Sequence, residues 1–337
     1  MKILLTIVLM ISTTIAYSDS LQVGKAAFDR GEFAAAITNF EQAARKGSAK
    51  AQYNLGTIYL NGLGVEPDYA EAQKWYELAA KQGLGEAQAN LAVMYEDGLG
   101  VEQNYKKALD LYKAAAAQGI ALAQYNLGLS YSAGESVKQD YAQAMKWYRL
   151  AAEQGEPLAQ YNLGVLFTKG LGTKKDYIEA MKWYRLSAEQ GNAAAQSNIG
   201  VFYSDGLGVE QDHVEAFKWF QLAAEQGYAG AQFNLGGAFF AGEGVKQDYS
   251  QAKKWFSLAA AKNIVRAQTV LGLIYGQGVG VEPDFKRAYM WLELAASQGS
   301  SEAKAYRDSL SAEMSQPLIR EAKQLAQKCK ERNFNDC

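Results

Sequence analysis

AQYNLGTIYLNGLGVEPDYAEAQKWYELAAKQG, residues 51–83, holds two helical periodicities separated by a glycine-rich turn. Leu55, Ile58 and Tyr59 recur at spacings of three and four residues and give a first helix one apolar stripe. Gly62 is expected to stop that helix, because glycine takes the left-handed C-terminal conformation without strain. Asp68, with Glu71 three residues on, reads as an N-cap and its capping-box partner. Ala72, Trp75, Tyr76 and Ala79 then mark the buried face of a second helix, which Gly83 ends.

The same pattern returns every 36 residues. Trp75, Trp147, Trp183, Trp219, Trp255 and Trp291 keep one phase, with Leu111 in the remaining slot. Gly56, Gly128, Gly164, Gly200, Gly236 and Gly272 keep a second, with Ala92 in the gap. A third runs Gly83, Gly119, Gly155, Gly191, Gly227, Asn263 and Gly299. A fixed period in this range predicts units that cannot bury their apolar faces alone and must stack on neighbours. The expected fold class is all-α, an α-solenoid superhelix of stacked helix-turn-helix repeats. Gly56 and Ala72 are expected where helices approach to about 8–10 Å. The tryptophan and the aromatic after it should fill the seam between units, each burying about 150 to 250 Å².

This register gives units at 48–83, 84–119, 120–155, 156–191, 192–227, 228–263 and 264–299. Residues 300–337 are expected to form capping helices and a tail, with a helix from about Pro317 to Lys330 closing the stack. At the other end, Lys2 precedes an unbroken apolar run from Ile3 to Ile11. Residues 1–18 therefore read as a cleavable signal peptide, with the cut after Ala16 or Ser18 equally suited to the small-residue rule. That run is shorter than the roughly 20 residues needed to cross a bilayer, so no membrane insertion is expected after cleavage.

Lysine and arginine number 34 against 36 acidic residues. Without a positive excess to neutralise phosphates, nucleic-acid binding is not expected. The sole histidine, His213, stands in a slot otherwise held by Tyr69, Tyr105, Tyr141, Tyr177, Tyr249 and Phe285. One histidine and two cysteines offer no recognisable ligand set, so neither a metal, a cofactor nor a catalytic residue is expected. Asp68, Asp140, Asp176, Asp212, Asp248 and Asp284 read as helix caps. Cys329 and Cys337, behind an export signal, are expected to form a disulfide that closes a small C-terminal loop.

Ala51, Leu55, Gly56, Tyr59, Gly62, Gly64, Val65, Asp68, Ala72, Trp75, Ala79, Ala80 and Gly83 together resemble the Sel1-like repeat. Residues 19–47 resemble a tetratricopeptide unit instead, through Gly24, Gly31, Phe33, Ala36, Phe40 and Ala43. The resemblance implies that the first helices line a concave face, as in tetratricopeptide arrays. It also implies work as an adaptor in envelope complexes, as a periplasmic regulator or in host contact. Part of the family carries a cysteine pair in each repeat and is associated with penicillin-binding or lactam-cleaving activity; this chain lacks those pairs.

Function should then reside where the repeat varies. The slot of Tyr53 holds Ala89, Tyr125, Tyr161, Ser197, Phe233 and Thr269, and that of Asn61 holds Asp97, Ala133, Lys169, Asp205, Ala241 and Gln277. A long surface with dispersed aromatic anchors suits a protein or peptide partner better than a small molecule. A further series, Asn54, Asn90, Asn126, Asn162, Asn198 and Asn234, ends at Val270. These amides either pair with the backbone of an extended peptide or bond to the adjoining unit or to a turn. The expected function is an exported protein-binding scaffold. The alternatives are a secreted host-protein-binding factor and a peptidoglycan-binding or lactam-hydrolysing protein.

Overall fold

The computed structural model describes residues 20–332, 334 and 337; the expected signal peptide, 1–18, lies outside them. The described residues form eighteen helices. Helices α1 (20–29) and α2 (Phe33–Arg45) make the N-terminal pair. The repeats follow as α3 (Ala49–Asn61) with α4 (Tyr69–Lys81), α5 (Gly85–Asp97) with α6 (Tyr105–Ala117), and α7 (Ala121–Ala133) with α8 (Tyr141–Glu153). Next come α9 (Pro157–Lys169) with α10 (Tyr177–Glu189), α11 (Ala193–Asp205) with α12 (His213–Glu225), α13 (Ala229–Ala241) with α14 (Tyr249–Ala261), and α15 (Val265–Gln277) with α16 (Phe285–Ala296). Helices α17 (Ser301–Glu313) and α18 (Gln316–Glu331) close the chain, the latter within a residue of its expected span at each end.

The fold is an all-α solenoid of stacked helix-turn-helix repeats, divided into two compact units. One runs to Leu166 and takes back Gly170–Lys174; the other holds Phe167–Lys169 and Lys175–Cys337. In both, the core is a string of small clusters lying between repeats. In the first unit Ala72, Tyr76 and Ala79 of α4 meet Ala87, Leu91 and Met94 of α5. In the second, Ala216, Phe220 and Ala223 of α12 meet Ala231 and Leu235 of α13. Each cluster joins the second helix of one repeat to the first helix of the next, so no repeat owns a complete core.

Gly62 adopts φ 65° and caps α3, as its position requires. Asp68 accepts a hydrogen bond from the Glu71 backbone N–H at 2.9 Å, which makes it the N-cap of α4. The reciprocal half of the capping box is absent. The Asp68 N–H donates to the Tyr59 carbonyl across the turn, and the Glu71 carboxylate pairs with Lys74. Gly56 is explained by Tyr76: a β-carbon there would stand 2.6 Å from the tyrosine ring. Gly24 meets Phe40 in the same way at 2.7 Å, so the N-terminal pair repeats this packing despite its shorter turn.

The expectation that both aromatics of each second helix fill the seam needs correction. Tyr76, Tyr112, Tyr148 and Tyr184 are fully buried, whereas Trp75, Trp147, Trp183, Trp219 and Trp255 are half-buried and only Trp291 is buried. The tyrosine packs on the small residue of its own first helix, Gly56 for Tyr76, and fills the seam against the first helix of the next repeat. Tryptophan lies along the outside of the preceding cluster, as Trp75 does beside Leu55 and Ile58.

A polar ladder accompanies the apolar string. The Gln52 amide donates to the Ala44 carbonyl at 3.2 Å, Gln124 to Ala116 at 3.3 Å and Gln196 to Ala188 at 3.2 Å. Each glutamine gives a second donor to a last-turn carbonyl of the preceding second helix, which already accepts the N–H of the glycine three residues on. Gln82 then donates to Gln52 Oε1, Gln154 to Gln124 and Gln226 to Gln196, each at 2.7 Å. One rung differs: the slot is Lys262, whose ammonium turns to the Gly227 carbonyl, and the buried Gln232 Oε1 is left without a partner.

At the C-terminus α18 packs on α16, with Ala326 and Cys329 in one cluster with Trp291. Cys329 and Cys337 form the expected disulfide, their Cα atoms 5.4 Å apart. It holds the last residue, together with Phe334, against that cluster.

Candidate functional site

The variable slots of the first helices lie at the protein surface, backed by the second helices. Tyr53, Tyr125, Tyr161 and Phe233 are half-buried. The Tyr53 ring centroid is 5.8 Å from Tyr76, Tyr125 is 6.0 Å from Tyr148, and Phe233 is 5.5 Å from Phe256. Tyr53, Tyr125 and Phe233 thus each pack, tilted, on the second-helix ring of their own repeat while staying partly open to solvent. The small residues of this slot, Ala89, Ser197 and Thr269, are buried. In the first unit a gap at Ala89 separates the rings of Tyr53 and Tyr125, and in the second Phe233 stands between gaps at Ser197 and Thr269. Burial, followed by the charge of Glu156, raises the Tyr125 phenol above its ordinary range, so it is a hydrogen-bonding group and not an anion at neutral pH.

Asn61, Asp97, Lys169 and Asp205 end their helices and are exposed. Asp205 shares a cavity with Phe233 and Asn234; Asn61, Asp97 and Lys169 line none of the principal cavities.

The asparagine series divides by the aromatic of the preceding second helix. Asn90 donates to the Tyr76 hydroxyl at 3.1 Å, and that hydroxyl also bonds Thr57 at 3.0 Å. Asn162 stands near the hydroxyls of Tyr148 and Tyr125 and favours their charged forms. Tyr112 instead donates to the Glu96 carboxylate at 2.6 Å, and Asn126 is left without a side-chain partner among the described residues. Asn198 is likewise unpartnered while Tyr184 bonds Thr168 at 3.2 Å. Before Asn54 and Asn234 the aromatic is Phe40 or Phe220, which has no hydroxyl to offer. Those two amides each line a cavity.

The first cavity, about 350 Å³, brings Tyr53 and Asn54 together with Phe28, Phe40, Lys50 and Glu86. The second, about 440 Å³, brings Phe233, Asn234 and Asp205 together with His213, Glu243 and Arg266. There the Arg266 guanidinium lies over the Phe233 ring, 4.7 Å from its centroid. Both volumes fall in the range of ligand pockets, and both lie on the first-helix side of their units. Sequence reasoning selected the aromatic and asparagine slots but missed the cavities. The signal was present in the exchange of tyrosine for phenylalanine one helix earlier.

Among the described residues no group of three or more histidine, cysteine or acidic side chains is placed to hold a metal ion. No described helix is long and apolar enough to cross a membrane.

Residues 49–84, 85–120, 121–156, 157–192, 193–228, 229–264 and 265–300 each match the Sel1 repeat, one residue later than the glycine phase divides them. Among solved structures, the chain is similar to a protective antigen present in uropathogenic Escherichia coli strains and displaying an SLR fold. The two share 35% identity at a TM-score of 0.88, over 94% of this chain and 70% of that one. It is also similar to a Sel1 repeat protein from Oxalobacter formigenes, at 36% identity and a TM-score of 0.67, over 72% of this chain and 96% of that one. No curated protein matches it.

Proposed function

Because the chain belongs to the Sel1 repeat family, whose arrays generally mediate protein–protein interaction, we propose that it is an exported scaffold holding a protein or peptide partner on its first-helix side. The observation that carries this reading is the set of half-buried rings on the first helices, Tyr53, Tyr125 and Tyr161 in the first unit and Phe233 in the second, in a slot whose small residues are buried. Rings fixed from behind lose little freedom on contact, so they can anchor a partner at low entropic cost. The apolar run Ile3 to Ile11 supports export, to the periplasm or beyond.

A photoreactive residue introduced in living cells at Tyr125 or Phe233 tests the surface, with exposed Lys146 as the control position. The expected result is capture of one defined polypeptide from the first two positions and not from the third. Equal capture from all three, or none, overturns the assignment.

A second reading, a secreted factor acting on a host protein, is favoured by the similar structure described as a protective antigen. Cell fractionation separates the two. Protein retained in the periplasm supports the scaffold; protein accumulating in the culture medium supports the secreted factor.

A further inference from the structure

In the second unit, departures from the repeat pattern converge on one point. The slot of Thr57 holds Val93, Leu129, Val165, Val201 and Leu273, but Gly237 in the sixth repeat. A β-carbon built at Gly237 meets no atom within 4 Å. The next position, Ala238, stands where Ile58, Met94, Leu166, Phe202 and Ile274 stand elsewhere, with Ser130 the other small exception. Glu243 replaces the apolar residue of Leu63, Leu99, Leu171, Leu207 and Val279, a change shared only with Glu135. His213 replaces an aromatic. All four line the 440 Å³ cavity between α11, α12 and α13.

Each change works against the fold taken alone. Glycine inside a helix costs about 1 kcal/mol relative to alanine, and a truncated apolar side chain forfeits burial. Local rules broken together at one place mark a site whose shape serves something other than packing.

The lining indicates what that is. Phe217, Phe220 and Phe233 make an apolar floor. Asp205 and Glu243 stand exposed at the rim, with no ion-pair partner among the described residues. The one cation there, Arg266, lies over Phe233. Two carboxylates against one guanidinium leave the rim short of positive charge. A long basic side chain meets both demands, its methylenes on the aromatic floor and its charged head at the carboxylates. An acidic side chain would meet like charge, and a purely apolar one would leave the carboxylates unanswered.

We propose that this cavity is the specificity pocket for a lysine or arginine side chain of the partner polypeptide. This rests on the reading of the array as protein-binding. The test pans a phage-displayed library of random dodecapeptides on the purified protein and, in parallel, on Gly237→Val, which puts into the cavity the side chain that Val93, Val165 and Val201 carry in the same slot of other repeats. The open space at Gly237 lets that variant fold, and its thermal melting verifies this. A second variant, Asp205→Asn with Glu243→Gln, alters only exposed groups. The expected result is peptides with a lysine or arginine at one fixed position among apolar residues, weakened about tenfold or more by either variant or by norleucine in place of the basic residue. Peptides that bind Gly237→Val as well as the unaltered protein overturn the pocket and leave the protein-binding reading standing. Selected peptides without a fixed basic residue overturn it equally. Failure to select any peptide counts against both.

Discussion

Asn90 donates a hydrogen bond to the hydroxyl of Tyr76, fourteen residues earlier and in the preceding repeat, at 3.1 Å. The asparagine slot thus ties neighbouring repeats together at Tyr76, whose hydroxyl also bonds Thr57. Where that ring is Phe40 or Phe220, or is Tyr112 with its hydroxyl donated to Glu96, the amide makes no such bond.

Replacement by alanine should separate the two classes. Asn90→Ala is expected to lower the unfolding free energy by about 0.5–1.5 kcal/mol in urea titrations, the usual worth of such a bond. Asn126→Ala and Asn234→Ala should change it by less than about 0.5 kcal/mol. Equal losses at all three would mean that the whole series serves the stack.

Two glycines one residue apart in the repeat phase should respond in opposite ways. Gly56→Ala forces a methyl group against the Tyr76 ring and is expected to destabilise by about 1–3 kcal/mol. Gly237→Ala enters open space inside a helix and should stabilise by about 0.5–1 kcal/mol. Paired thermal melts are sufficient to decide this.

The irregular rung offers a repair. Lys262→Gln supplies the donor that the buried Gln232 Oε1 lacks, copying Gln226 opposite Gln196. A gain of about 1 kcal/mol is expected by denaturant titration. No gain would show that the lysine bond to the Gly227 carbonyl is its equal.

Burial raises the phenols of Tyr76, Tyr112 and Tyr148, with Glu96 adding to the effect at Tyr112. In the unfolded chain they ionise near pH 10. Above that pH the unfolded state releases protons that the folded state retains, so stability falls as pH rises. Full stability is expected below about pH 10, followed by alkaline unfolding in which ultraviolet tyrosinate absorbance rises together with loss of helical signal. Tyrosinate appearing well before the helices melt would contradict the burial of these rings.

Reduction of Cys329–Cys337, or a double change to serine, removes a short closed loop. By loop entropy it should lower stability by at most about 2.5 kcal/mol. Because the bridge holds residue 337 against the cluster of Trp291, the loss should be confined to amides of α18 and α16 in hydrogen exchange. Faster exchange throughout the first unit would be inconsistent with this.

The period of tryptophan and glycine disclosed the helix pairs because those residues answer to local sterics, visible in one repeat at a time. Gln52 and its counterparts stayed hidden for the opposite reason. A glutamine on a helix reads as solvent-facing, and only the three-dimensional stack reveals the carbonyl of Ala44 that it meets. Glu71 misled, since its capping-box spacing was right but the Asp68 N–H was already committed to the turn. The cavity at Gly237 lay between these cases: its unusual residues were legible one by one, and their convergence was not.

Because the rungs, Lys262 apart, join glutamines separated by thirty residues, one such repeat's amide can be exchanged for another's without altering the bond. Excision or duplication of a whole 36-residue module would re-form equivalent contacts at the new junction. Loss of any other number of residues would break the register at once. Variation in length along this lineage is thereby quantised, and a gene encoding such a chain can gain or shed recognition surface in complete increments while its architecture survives.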